Sequence, residues 1–176
     1  PEREASIQIL DGNDWDIYDD SFATSLKGKY CSTYCIELDP TDPTHLYAGT
    51  QAGLFEFRNG KMTQHYDIDN APFAPADDKN PYSYTLITAL KAENDGSLWC
   101  FNSNTRGGTP SLLKLKDGQW TDLHDKGFVD SDGASMRYVR SMITDSRGLL
   151  WFVNNEWRLP ALVCHNPSTG ENHIYS

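Results

Sequence analysis

"NDGSLWCFNSN", residues 94–104, and "DSRGLLWFVNN", residues 145–155, are one phrase written twice. Each is a polar turn with a single Gly, then Leu-Trp, then a short alternating run. Leu98-Trp99 and Leu150-Trp151 stand 52 residues apart, and "PTHLYAGT" puts Leu46-Tyr47 another 52 residues upstream. A period of this size marks a fold stacked from copies of one supersecondary unit.

The unit reads outward from its anchor. Before it lies an apolar or alternating run: "YCSTYCIELD" (30–39), "YTLITALKAE" (84–93) and "YVRSMITDS" (138–146). After it come a third strand, "GLFEFRN", "SLLKLKD" or "ALVCHNP", and a fourth, "GKMTQHYD", "GQWTDLHD" or "GENHIYS". Asn59-Gly60, Asp117-Gly118 and Thr169-Gly170 supply hairpin turns, because Gly accepts positive φ without penalty. Four short antiparallel strands in such a period are the content of a β-propeller blade. "SIQILDGNDWDIYDD" (6–20) reads as the outer two strands of a further blade. The fold class expected is therefore all-β, a propeller fragment of about three and a half four-stranded antiparallel blades. Residues 1–176 form a single partial propeller: an outer half-blade at 6–20 and blades at 30–67, 84–125 and 138–176. Leu and the aromatic beside it fall on opposite faces of their strand, so the repeated pair is packing code between sheets. An open stack leaves an apolar sheet face at each end, which predicts either a longer parent chain or self-association through the open blade edges.

Composition narrows the chemistry. With 15 Lys+Arg against 25 Asp+Glu, the net charge is −10. Nucleic acid needs clustered cations to displace counterions, so it is not an expected partner. No apolar run approaches the roughly 20 residues of a membrane-spanning helix. The chain lacks a signal peptide and an initiator Met, and is expected to be a piece of something longer. The cysteines, Cys31, Cys35, Cys100 and Cys164, form no CxxC pair, and buried free thiols are expected. The five histidines lack metal spacing, and His65 and His124 read as structural. "DIDN" (67–70) and "DSDG" (130–133) hint at calcium, but neither continues into a full loop with a terminal Glu, so both read as turns. No metal site, cofactor or catalytic residue is expected, and no nucleophile elbow or P-loop is present.

Asp145, Gly148, Leu150 and Trp151 resemble the D-x-x-G-x-L-W repeat of two-component regulator propellers, and Glu93, Gly96, Leu98 and Trp99 match it less fully. The stretch "LDPTDPTHLYAGTQAGLFEFRNGKMTQHYDIDNAPF" (38–73) is similar to PorZ-type propeller proteins of Bacteroidetes, which are associated with type IX secretion. The resemblance implies a periplasmic or cell-surface location and a role in signal sensing, carbohydrate binding or secretion. Tyr47 replaces the repeat's Trp, and "NNEWRLP" lacks its usual Gly-Thr. The sialidase Asp-box is only superficially alike, since here the acid lies three residues before Gly.

Loop lengths divide the two ends of the blades. Turns between first and second and between third and fourth strands are short. The other connections, residues 67–83, 104–110, 125–137 and 155–160, are long, and length beyond a minimal hairpin points to function. The candidate ligand-binding residues on that face are Arg106, Trp157, Arg158, Arg137, Tyr138, Arg140 and Tyr84. Arg and Trp together suit stacking and bidentate hydrogen bonding to a carbohydrate or carboxylate. The competing reading is loop packing and local ion pairing. The function expected is a non-enzymatic binding, sensor or scaffold module with an oligosaccharide or envelope protein as partner. The alternatives are a propeller-based polysaccharide lyase or glycosidase, the sensor domain of a hybrid histidine kinase, and two fragments pairing into seven blades.

Overall fold

A computed structural model describes residues 7–18, 26–28, 32–105, 111–123, 128–129, 133 and 135–176. A two-stranded sheet comes first, β1 (Ile7–Asp11) and β2 (Asp14–Tyr18). Blade 1 is β3 (Thr33–Asp39), β4 (Asp42–Thr50), β5 (Gly53–Arg58) and β6 (Lys61–Tyr66). Blade 2 is β7 (Leu86–Ala92), β8 (Leu98–Ser103), β9 (Leu112–Lys116) and β10 (Gln119–Leu123). Blade 3 is β11 (Val139–Thr144), β12 (Leu150–Asn154), β13 (Ala161–His165) and β14 (Asn172–Tyr175). Every blade is an antiparallel meander in chain order, and among the described residues β1 pairs with β2 alone. The first strands lie innermost: β3 packs beside β7, and β7 beside β11. Among the described residues no helix is long and apolar enough to cross a membrane.

Strand alternation builds three cores, one per seam. Leu46, Ala48, Phe55 and Phe57 of blade 1 meet Ile7 of the half-blade. Tyr47 and Leu54, one residue out of phase, meet Ile87, Leu98, Cys100, Leu113 and Leu115 of blade 2. Trp99, Phe101 and Leu112, again out of phase, meet Val139, Leu150, Phe152 and Val163 of blade 3, with Phe128 and Met136 filling between. The Leu-aromatic pair therefore splits between two seams in blades 1 and 2, as alternate residues of a strand must, while in blade 3 Leu150 faces the seam and Trp151 the opposite face. At the end of the stack, Ile143, Val153, Leu162 and Tyr175 of blade 3 are exposed, as are Leu10, Trp15 and Ile17 of the half-blade and Ile36 and Leu38 beside it.

The seams are also tied by polar links. Glu37 accepts hydrogen bonds from Lys91 Nζ (2.8 Å) and Ala92 N (3.0 Å), joining blade 1 to blade 2. Glu93 repeats the device toward Thr144 Oγ1 of blade 3. Gly49 is needed where blade 1 approaches blade 2: a Cβ there would lie 2.6 Å from Cys35 Sγ and 2.6 Å from Ile87 O. Each innermost strand also carries a bulge, at Tyr34, Thr88 and Ser141–Met142. A bulge sharpens strand twist, which lets the narrow inner strands crowd about one axis.

The turns mostly follow the sequence. Asn59-Gly60 (φ 50° and 74°) and Asp117-Gly118 (φ 50° and 73°) are left-handed at both positions, as a type I′ hairpin requires. Thr169-Gly170 departs from the expectation of a short turn. Strand β13 ends at His165 and β14 starts at Asn172, and the loop closes through Gly170 N to Asn166 O at 2.8 Å. Pro167 supplies no ladder N–H, so pairing cannot continue toward Thr169. Cys35, Cys100 and Cys164 are free thiols; Cys31 lies outside the described residues. Burial pushes the Cys35 thiol up to about 12.

The D-P-x-D-P-x-H stretch closes on itself. His45 is buried, with Nδ1 2.8 Å from Asp39 Oδ2 and Nε2 2.8 Å from Glu56 Oε1. His65 is structural, its Nε2 2.7 Å from Ala52 O and its ring stacked on Phe55. His124 lies outside the described residues. "DIDN" is a turn whose Asp67 and Asn70 side chains bond to nearby backbone, and among the described residues no cluster of three or more His, Cys, Asp or Glu fits a metal ion.

Candidate functional site

Asn102, one residue before the end of β8, and Asn154, the last residue of β12, are both buried. Asn154 Nδ2 donates to Leu159 O at 2.7 Å, and its Oδ1 accepts from Tyr138 N at 3.2 Å. Asn102 Nδ2 donates to Leu86 O at 3.2 Å, and its Oδ1 accepts from Ala74 N at 2.7 Å. Thr50 does a shorter version in blade 1, donating to Gly53 O at 2.9 Å and accepting from Ala52 N at 3.0 Å. A buried amide with both ends bonded fixes the loops that it touches. Those loops form the long-connection face.

Between blades 2 and 3 that face opens a cavity of about 330 Å³ lined by Leu86, Asn104, Arg137, Tyr138, Glu156, Trp157 and Arg158. Leu86 begins β7, Asn104 follows β8, Arg137 and Tyr138 precede β11, and Glu156–Arg158 join β12 to β13. Asn104 is left-handed (φ 58°) and its N–H donates to Met136 O at 3.1 Å. Asn is among the few side chains that tolerate that conformation.

The 155–160 turn is held from several sides. Leu159 N donates to Glu156 O at 3.2 Å, Arg158 N donates to Glu156 Oε2 at 2.9 Å, and Asn154 holds Leu159 O. Glu156 is buried, yet Trp157 beside it is 81% exposed. The Arg158 guanidinium lies over the indole, 5.2 Å from its centroid. An exposed indole forgoes the roughly 1.5–3 kcal/mol that burying a large apolar side chain yields. Here it is presented on a turn that cannot easily fold it away.

Of the residues expected from sequence, Arg137, Tyr138, Trp157 and Arg158 come together in this cavity. Tyr84 is exposed near the axis but stands outside the lining, its carbonyl accepting from Ala76 N at 2.7 Å. Arg140 is exposed on the bulged inner strand and stands outside the cavity lining. Arg106 lies outside the described residues. Sequence reading missed Leu86, Asn104 and Glu156. The one signal was an acid directly before Trp-Arg in a turn, where a carboxylate readily takes a nearby backbone N–H.

Two further clefts lie at the short-turn end. Their charged groups are already engaged: Lys91 with Glu37 (2.8 Å), Asp95 with Lys116 (2.7 Å), Asp145 with Arg147 (2.6 Å), and Lys114 over Trp99 (4.9 Å). The bonds from Lys116 and Ser97 hold the Asp95 carboxyl well below the usual range, and the Arg147 bond does the same for Asp145.

Sheets of four antiparallel strands, stacked through their first strands about an axis, define a partial β-propeller, and its candidate site is a loop-end cavity. The chain is similar in fold to PorZ of Porphyromonas gingivalis, an essential bacterial surface component of the type IX secretion system, with TM-score 0.78 and 19% identity. That match covers 97% of this chain and 23% of PorZ. The extracellular domain of a hybrid two-component system of Bacteroides thetaiotaomicron matches with TM-score 0.56 and 18% identity, over 82% of this chain and 18% of that one. An auxiliary nutrient-binding protein of B. thetaiotaomicron matches with TM-score 0.52 and 13% identity, over 82% and 30%. No family model and no curated protein sequence matches the chain. The likenesses establish the propeller fold that the repeat predicts, and the chain spans under a third of each of these structures.

Proposed function

We propose that this chain is a non-enzymatic binding module of an extracytoplasmic β-propeller protein, and that the cavity between blades 2 and 3 takes an oligosaccharide. The observation that carries the reading is Trp157, exposed yet held at the rim of a cavity with Tyr138 and two arginines. Indole faces stack on the apolar faces of sugar rings, and fixed polar groups in a concave site set their orientation. The fold neighbours add support: a surface component, an extracellular domain and a nutrient-binding protein. Glu156 is the one carboxylate among the described lining residues, whereas most glycosidases act through two, which supports the binding reading.

A Trp-fluorescence titration against a panel of plant, host and bacterial oligosaccharides tests the reading, with Trp157→Ala alongside. A saturable change that vanishes in Trp157→Ala supports it. A flat response across the panel rejects it in favour of a second reading, protein docking, for which the exposed apolar faces of the half-blade and of blade 3 are the motive.

A further inference from the structure

We infer that the cavity binds two consecutive sugar rings, one stacked on Trp157 and the next on Tyr138, so that a disaccharide is its smallest full ligand. This deepens the saccharide-binding reading and rests on it. Among the described residues, the exposed large apolar side chains lie on strands, with three exceptions in connections: Tyr84, Trp157 and Tyr138, the last 53% exposed. Two of the three, Tyr138 and Trp157, line one cavity. Aromatic area left in water at a concave site is area held ready for a ligand. Tyr and Trp offer it at low conformational cost, because each has only two side-chain torsions to fix.

Both rings ride on backbone tied to the same two residues. Tyr138 N donates to Asn154 Oδ1 at 3.2 Å, and Tyr138 O accepts from Asn155 N at 3.0 Å. Asn154 Nδ2 donates to Leu159 O at 2.7 Å, closing the turn that carries Trp157. The spacing of the two platforms is thus set by hydrogen bonds to one buried amide and its neighbour, not by a free loop. Arg158 lies over the indole, 5.2 Å from its centroid, which leaves the other indole face for a sugar. One face takes one pyranose ring, and a second ring needs a second platform, which Tyr138 supplies. The cavity limits the ligand from above, since about 330 Å³ is near the small end of the roughly 300–1,000 Å³ of ligand pockets. Rings beyond the second lie in solvent.

The test is titration calorimetry of this chain with glucose, mannose, galactose and N-acetylglucosamine. The matching β-linked disaccharides, cellobiose, mannobiose, galactobiose and chitobiose, and their tetrasaccharides complete the set. In a series that binds, the disaccharide is expected to bind at least about tenfold more tightly than its monosaccharide, and the tetrasaccharide within about threefold of the disaccharide. Tyr138→Ala is expected to bring the disaccharide down to the monosaccharide's affinity and to leave the monosaccharide unchanged. Trp157→Ala is expected to weaken both, and Tyr138→Phe, which keeps the ring, to bind like the unaltered chain. Thermal melting of each variant separates a lost contact from a lost fold, and the comparison of monosaccharide with disaccharide needs no variant. Equal affinity for the two overturns the inference but leaves saccharide binding standing, as does a tetrasaccharide about tenfold tighter than the disaccharide. A disaccharide indifferent to Tyr138→Ala overturns Tyr138 as the second platform. No binding of any saccharide, in these series and in the wider panel, overturns both the inference and the reading beneath it.

Discussion

Asn102 and Asn154 stand 52 residues apart and hold equivalent loop anchors in neighbouring blades. Asn154 holds the cavity on two sides, since Leu159 belongs to the Trp157 turn and Tyr138 is a lining residue, whereas Asn102 touches the lining through Leu86 O alone. Replacing either amide by Ala leaves buried backbone groups unpaired, at a cost of about 1–3 kcal/mol. Asn154→Ala is expected to lose stability and to weaken saccharide binding. Asn102→Ala is expected to lose comparable stability with a smaller effect on binding. Chemical denaturation and the fluorescence titration, run on both variants, check the contrast.

Acid should weaken blade 1 through Asp39. Burial pushes its carboxyl up, but bonds from Thr41 and His45 outweigh this and bring it down to about 2. A group with a depressed folded pKa contributes stability above its unfolded value, near 3.9, and loses it as pH falls toward the folded value. Asp39→Asn removes that titration. The stability gap between wild type and Asp39→Asn is expected to be full at pH 5–6 and to close as pH falls through about 2, measured by urea unfolding across the acid range.

Gly49→Val tests the first seam. The added side chain meets Cys35 Sγ and the β7 backbone, and carbonyl Ile87 O cannot rotate aside. Overpacking of this kind costs about 1–3 kcal/mol. Half-buried Cys35, its pKa raised to about 12, is expected to resist alkylation in the wild type and to react in Gly49→Val. Mass spectrometry of the labelled thiol reads the difference.

The open face of blade 3 carries Val153 (38% exposed) and Leu162 (42% exposed), paired across β12 and β13. Val153→Lys with Leu162→Lys is expected to suppress self-association at high protein concentration and to leave thermal stability nearly unchanged. Light scattering against concentration measures the first, and melting the second.

The period legible in Leu46, Leu98 and Leu150 gave every blade, since a residue that must face a neighbouring sheet recurs at each sheet. Turn chemistry was legible wherever a short polar side chain and Gly fixed the backbone, as at Asn59-Gly60. The bulges at Tyr34, Thr88 and Ser141 were not, because a bulge is a register relation between two strands and leaves no mark on one. Four of the seven described lining residues of the cavity were legible from loop length and residue type: Arg137, Tyr138, Trp157 and Arg158. Leu86, Asn104 and Glu156 join it through seam geometry. Arg140 and Tyr84 stand outside the lining.

The exposed apolar faces at the two ends of the described stack are different surfaces. One presents Leu10, Trp15 and Ile17 on a two-stranded sheet, the other Val153 and Leu162 on a four-stranded one. A contact between them is heterologous, head to tail, and lacks the self-complementarity of a two-fold dimer. Such a contact repeats the same rotation with each addition. Whether the face is met by another copy or by further blades of a longer chain, the rotation between successive blades decides whether the stack closes into a ring or continues as an open helix.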